Sequence, residues 1–310
     1  EMRISIIGTG YVGLVTGVCL AEMGHNIITV DKNKKIVDSI NSFNSPIYEP
    51  SLEEMLKKNL QMGKFRATTN LREALINTDV TFICVGTPNK EGVIDLTQIR
   101  EISREIGDIL KMKDDYHTIV VKSTVMPTTT DTVVKEIIEQ ASEKKIGQFG
   151  LCMNPEFLRE GSAVEDFMNP DRIIIGSLDK RSSEIIKKIY DQFNCPKIIT
   201  NSRTAEMIKY TANSLLATLI SFSNEIAKIC QNIEDVDVID VLKAIHLDRR
   251  FSVASIGENE KTKKAIQSAI ISYLWAGCGY GGSCFPKDVV ALYNFANEFN
   301  IKPRLGKCKK

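Results

Sequence analysis

The sequence predicts an α/β fold: a doubly wound, mostly parallel sheet, followed by a mostly α region with one long helix. Three observations lead there. Short apolar runs bounded by turn residues recur through the first half, at Arg3–Ile7, Asn26–Val30, Val80–Val85, Thr118–Lys122, Phe149–Met153 and Arg172–Ile175. Helix-compatible stretches such as Ser51–Leu60 and Leu96–Leu110 lie between most of them, and that alternation marks βαβ units. Beyond Thr200 the texture changes to an uninterrupted helical stretch without Gly or Pro, Thr204–Ile233.

The strand runs are nearly continuous in apolar character because helices cover both faces of a parallel sheet. The change near Thr200 sets a domain boundary, with residues 1–199 as a nucleotide-binding domain and 200–310 as a helical domain. The second region continues with a helical pattern at Asp235–Ile245, a polar, lysine-rich stretch from Arg249 to Ser272, a glycine cluster at Ala276–Ser283 and a last helical pattern at Val289–Asn300.

Bulk properties exclude several classes. The chain has 310 residues, 43% hydrophobic and 25% charged, with a formal net charge of +1. So balanced a charge offers no field for nucleic acid or an anionic membrane, and no apolar run is long enough to span a bilayer. The eight cysteines contain no CxxC pair, which argues against zinc-ribbon and thioredoxin-like sites, and no metal site is expected. A chain of this size without a disulfide framework, opening on a strand rather than a leader, is expected in a reducing cytosol.

Gly8-Thr9-Gly10-Tyr11-Val12-Gly13 follows the first apolar run directly. The first glycine permits a tight turn, the second lets the backbone approach a pyrophosphate, and the third allows close packing of helix on strand. A helix over Val12–Met23 would face the anion with its N-terminus. Asp31 closes the second strand at about the ~20-residue offset that suits ribose hydroxyls. Strand, glycines, helix and acid together make a Rossmann dinucleotide site. Asp31 favours NAD over NADP, while Lys32, Lys34 and Lys35 read as a solvated helix start.

Thr87 (in Gly86-Thr87-Pro88) and Thr124 (in Lys122-Ser123-Thr124-Val125) lie at the ends of further strands, where ligands of open α/β sheets bind. Taken singly, ordinary turn and cap roles are the better explanation of each segment. Glu156 and Glu160 in Asn154-Pro-Glu156-Phe-Leu-Arg159-Glu160-Gly161 are four apart, a spacing that one helical turn would place on one face. Acids at a helix start complementing the dipole are the alternative. Lys209 and Asn213, also four apart, lie within the long helix Ala205–Ile229; they suit an oxyanion or simply a solvated face.

Gly279-Tyr280-Gly281-Gly282-Ser283-Cys284-Phe285-Pro286-Lys287-Asp288 is the sharpest segment. A thiol at a helix start beside a cation is disposed to ionise. Thiolate addition to an aldehyde gives an adduct that can be oxidised to a thioester, and Asp288, one turn on, is placed to activate water. Cys278 lacks charged neighbours and reads as structural.

In order, IIGTGYVGL, VGTP with Gly92, Asp95 and Leu96, KSTV, NPEFLREGSA, EMIKYTANS and GYGGSCFPKD resemble the UDP-glucose/GDP-mannose dehydrogenase family, from Met2 to about Pro303. The resemblance, specifically to the UDP-glucose 6-dehydrogenases, implies oxidation of a nucleotide-sugar CH2OH to a carboxylate with two NAD+. It implies Cys284 as nucleophile, Lys209 and Asn213 at the oxyanion, and Asp288 as base through water, assisted by Thr124 and Glu156. NAD contacts would come from Gly8, Gly10, Tyr11, Val12, Gly13, Asp31, Thr87, Thr124, Glu160 and Lys287. Sugar and phosphate contacts would come from Phe157, Leu158, Arg159, Glu160, Lys209, Asn213, Tyr280, Gly281 and Gly282. A homodimer through the long helix is also implied. Phe285 after the cysteine favours UDP-glucose, since GDP-mannose relatives tend to have leucine there.

Two departures stand out. Such proteins carry a further C-terminal UDP-binding domain, and the chain ends at Lys310, where it would begin. The insertion Ser252–Ser272 also separates Arg249 and Arg250 from the glycine loop, so neither is assigned to the substrate. The alternatives are a dehydrogenase of another nucleotide sugar, GDP-mannose or a UDP-N-acetylhexosamine, or an NAD-binding and dimerisation fragment without turnover.

Overall fold

The structure is a computed structural model that describes residues 1–254 and 265–303. It divides into two compact units, Glu1–Lys90 with Ile94–Lys209, and Glu91–Val93 with Tyr210–Lys310.

The first unit is built on one eight-stranded sheet. Its strands are β1 (Arg3–Ile7), β2 (Asn26–Val30), β3 (Phe65–Thr68), β4 (Val80–Ile83), β5 (Thr118–Val121), β6 (Gly150–Met153), β7 (Ile173–Ser177) and β8 (Lys197–Thr200). They lie in the order β3-β2-β1-β4-β5-β6-β7-β8. The first six are parallel, with Ile7 paired to Val30 on one side and Ile83 on the other. The chain starts at the centre and winds outwards in both directions, the doubly wound arrangement that opens a crevice at its switch point. β7 then reverses, placing Gly176 opposite Met153, and β8 runs parallel to β7.

The helices are α1 (Tyr11–Glu22), α2 (Lys34–Asn41), α3 (Leu52–Gln61), α4 (Leu71–Ile76), α5 (Thr97–Leu110), α6 (Lys135–Ser142), α7 (Ala163–Met168), α8 (Lys180–Ile189) and α9 (Ser202–Cys230). A π-helical turn, Thr129–Val134, leads into α6. Successive strand residues point to opposite faces, and the core divides accordingly. Ile4, Ile6, Phe82, Val120 and Cys152 pack with Leu14, Val15 and Val18 of α1. Ile7, Ile83, Ile119, Val121, Leu151 and Met153 pack with Ile99, Ile102 and Ile106 of α5. Each fully buried aliphatic side chain contributes about 1.5–3 kcal/mol, so covering both faces is the main stabilisation of the sheet.

Two strands escape the sequence reading, β3 and β8. Both are edges. β3 alternates buried Phe65 and Ala67 with exposed Arg66, and Ile198 and Ile199 of β8 are exposed. Pairing in the Val80–Val85 run stops at Ile83, which frees Cys84–Gly86 to turn.

The second unit contains the rest of α9, then α10 (Val238–His246), a two-stranded antiparallel ribbon of Ser252–Ala254 with Ala265–Gln267, and α11 (Phe285–Glu298). His246 packs edge-on to Trp275 at 4.5 Å and hydrogen-bonds the Leu274 carbonyl at 3.0 Å. The middle of the lysine-rich insertion, 255–264, lies outside the described residues. Among the described residues no helix is long and apolar enough to cross a membrane.

Candidate active site

The glycine turn connects β1 to α1. Gly8 has φ +95°, in the left-handed region, and a Cβ there would come within 2.8 Å of the Cys84 carbonyl oxygen. A Cβ on Gly13 would sit 1.9 Å from the Gly8 carbonyl oxygen, so only glycine lets α1 approach so closely. At Gly10 a Cβ would meet nothing within 4 Å. That open space lies at the N-cap of α1, which has neither a side-chain cap nor an acidic residue in its first turn. The first-turn amides are therefore left for an external anion.

A cavity of about 480 Å³ is lined by Gly8, Thr9, Gly10, Asp31, Val85 and Gly86, among others. Asp31 accepts hydrogen bonds from the Thr9 amide (3.1 Å), the Thr9 hydroxyl and the Asn33 amide (2.8 Å). Lys34 pairs with Asp38 at 2.7 Å, and Lys32 lies 3.6 Å from Glu105, all solvent-exposed. Thr87 is buried and donates to the Thr124 carbonyl at 2.7 Å. These residues fit a dinucleotide: an unpaired helix terminus for the pyrophosphate, open backbone at Gly10 and a carboxylate at the end of β2.

The loop after β6 corrects one expectation. Residues 154–161 are not helical, and α7 begins only at Ala163. Glu156 and Glu160 therefore share no helical face. Glu156 is buried and pairs with the buried Lys209 ammonium at 3.0 Å, while accepting from the Leu158 amide at 2.7 Å. Glu160 is exposed. The physical reason is competition: Pro155 supplies no amide, and Glu156 finds a buried cation instead of a helix start. The Lys209 ammonium also stands 5.4 Å from the Phe157 ring centroid. Arg159 is held by Asp166, with its amide donating at 2.9 Å.

In the second unit, Cys284 is the exposed N-cap residue of α11, with Pro286 in the first turn. The Asp288 amide donates to the Cys284 carbonyl at 2.9 Å. Asp288 is 1% exposed, accepts from the Asn213 amide at 2.7 Å and is paired with Lys287. Tyr280 and Phe285 meet edge-on at 6.5 Å. Gly279 and Gly282 take positive φ, and Gly281 is exposed. A cavity of about 610 Å³ lies between the Ala276–Tyr280 segment and Asn224, Lys228 and their neighbours. Cys278 is exposed and lines this cavity rather than a core, which corrects its reading as a structural thiol. Among the described residues no His, Cys, Asp and Glu cluster is arranged to hold a metal ion.

Three buried groups escaped the sequence reading. Glu49 accepts from Tyr11, from Gly161 (3.0 Å) and from Ala163 (2.7 Å). Glu206 accepts from the amides of Thr128 and Thr130 at 2.8 Å each. Lys122 donates to the Asn154 side-chain oxygen at 3.0 Å, and burial pushes its pKa down to about 8. A lysine closing an apolar strand was a usable signal for Lys122; Tyr48-Glu49-Pro50 carries none.

Comparison with known proteins identifies the family. The NAD binding domain of the UDP-glucose/GDP-mannose dehydrogenase family matches residues 2–194, and its central domain matches 203–308. A GDP-mannose 6-dehydrogenase of Pseudomonas syringae pv. tomato is 42% identical over 302 residues, 97% of this chain and 65% of the relative. A UDP-glucose 6-dehydrogenase of Haloferax volcanii is 40% identical over 311 residues, 98% of this chain and 67% of the relative. The solved UDP-glucose dehydrogenase of Pyrobaculum islandicum superposes with a TM-score of 0.88 at 38% identity, covering 99% of this chain and 67% of that one. The chain thus spans about two thirds of the length of these relatives.

Proposed function

The chain belongs to the UDP-glucose/GDP-mannose dehydrogenase family, with NAD as cofactor, and on that premise we propose that it oxidises the primary alcohol of UDP-glucose to the carboxylate in a four-electron reaction. The observation that carries this reading is the start of α11. An exposed thiol at the helix N-terminus precedes, by one turn, a buried carboxylate held by an amide and an ammonium. A four-electron oxidation uses such a nucleophile to carry the acyl group; a two-electron alcohol oxidation has no need of one.

NAD+, when bound, supplies the electron acceptor, and two equivalents are used per sugar. Everything else falls to the chain's own residues. The Cys284 thiolate adds to the aldehyde carbon and forms a thiohemiacetal, whose oxyanion is stabilised by the Lys209 ammonium and the Asn213 amide. After the second oxidation the acyl group remains on Cys284 as a thioester. Asp288 orients the water that attacks this thioester and takes its proton, releasing the carboxylate and the thiol. Thr124 and Glu156 assist proton transfer from the alcohol. Gly8, Gly10, Tyr11, Val12, Gly13, Asp31, Thr87, Thr124, Glu160 and Lys287 hold NAD. Phe157–Glu160, Lys209, Asn213 and Tyr280–Gly282 hold the sugar diphosphate. Exposed Leu215, Phe222 and Ile229, spaced by sevens along α9, support a homodimer through that helix.

Phe285 after the nucleophile favours UDP-glucose, whereas the GDP-mannose dehydrogenases among the relatives favour GDP-mannose as a second reading. The test is NADH formed per sugar consumed by the purified chain, with both sugars offered in parallel. About two NADH per sugar are expected for the true substrate, and Cys284→Ser should lower kcat by about three orders of magnitude or more. One NADH per sugar, or undiminished turnover in the serine variant, overturns the reading. NAD+ binding without any NADH favours a cofactor-binding piece that does not turn over.

A further inference from the structure

Tyr11 belongs to the glycine turn, as the first residue of α1, yet its side chain works elsewhere. Its hydroxyl donates to Glu49, lies 3.4 Å from the Arg159 carbonyl oxygen and accepts from the Gly161 amide at 3.2 Å. Glu49 is 4% exposed and spends its remaining capacity on the Gly161 and Ala163 amides, at 3.0 and 2.7 Å. One buried carboxylate therefore gathers the first residue of the cofactor helix, the amide of Gly161 at the end of the 154–161 loop and the amide of Ala163 at the start of α7. All of these groups lie in the first unit.

We propose that Tyr11 and Glu49 form a coupling element, through which NAD bound at the glycine turn orders the loop that receives the sugar diphosphate. The assignment of that loop to the sugar rests on the function proposed above; the coupling itself does not. The physical route is short. An anion on the first-turn amides of α1 restrains that turn, and with it the Cα–Cβ direction of Tyr11. The phenol oxygen is then held where Glu49 and Gly161 meet it, so the loop loses freedom before the sugar arrives. A second ligand binding an already ordered loop meets a smaller entropy cost, and the effect is reciprocal for the two affinities. Tyr11 and Glu49 are thus positioning residues, acting through the loop backbone.

The test is hydrogen–deuterium exchange of the full chain over residues 156–164, with and without NAD+ at a concentration shown by titration to saturate. In the wild type, NAD+ should slow exchange of the Gly161 and Ala163 amides about fivefold to tenfold, the lower range of ordinary coupling. Tyr11→Phe removes only the hydroxyl and should reduce that slowing to less than about twofold. Glu49→Asp withdraws the carboxylate without altering α1 and should do the same, which covers the case of a phenylalanine variant that fails to saturate. Unchanged exchange in the wild type on saturation, or full slowing in Glu49→Asp, overturns the proposal. No sugar enters the measurement, so its failure is distinct from a failure of the turnover assay.

Discussion

Glu206 sits on α9, is fully buried, and accepts from the amides of Thr128 and Thr130. Those hydrogen bonds favour the carboxylate, but burial outweighs them and raises its pKa from 4.5 to about 7. A raised folded-state pKa means that folding favours the protonated form. The contribution to stability is thus complete below pH 4.5 and lost as pH rises through about 7. Denaturation of the wild type between pH 4.5 and 7.5 should show a decline, on the order of a few kcal/mol, that Glu206→Gln lacks. Equal pH slopes in the two proteins contradict the assignment. At this scale the grouping of the proposed nucleophile with its neighbours was legible, because Cys284, Lys287 and Asp288 are close in sequence and share one helix start. Glu49 and Glu206 were not, since their partners lie between 38 and 114 residues away.

The first helix depends on two glycines for different reasons, and substitution separates them. Gly13→Ala would drive a Cβ to 1.9 Å from the Gly8 carbonyl oxygen, an overpacking that should cost about 1–3 kcal/mol and abolish NAD binding with it. Gly10 has φ −70° and ψ −171°, which alanine adopts readily, and its Cβ would meet nothing within 4 Å. Gly10→Ala should keep stability within about 1 kcal/mol while weakening NAD+ by about tenfold or more, because the methyl occupies the approach of the pyrophosphate. Urea denaturation and fluorescence titration read the two effects apart; equal losses of stability would remove the distinction. Strands buried on both faces showed themselves as apolar runs, and β1 and β2 carry the bounds the runs suggest. The edges β3 and β8 did not, because a strand with one paired side keeps polar or exposed residues that resemble loop sequence.

Across the whole molecule, a ligand that binds only the folded state stabilises it by mass action. NAD+ at about a hundred times its dissociation constant should stabilise the unit that holds it by about 2.7 kcal/mol, seen as a rise in Tm by scanning calorimetry. An unchanged Tm at saturation would leave the dinucleotide cavity without its proposed occupant. The amino-acid sequence by itself determined the α/β class, the alternation of the inner strands with helices, the long α9, the glycine turn at Gly8–Gly13 and the helix start that follows Gly279–Cys284. Those features are local: residue spacing along the chain encodes strand, turn and helix N-terminus. The tertiary structure alone decided that Glu156 faces Lys209 rather than Glu160, that Asp288 is buried against Asn213, and that Glu49 joins the glycine turn to the loop after β6. Each of these depends on segments 38 or more residues apart being packed together, where burial makes a partner for every charge obligatory without specifying which partner.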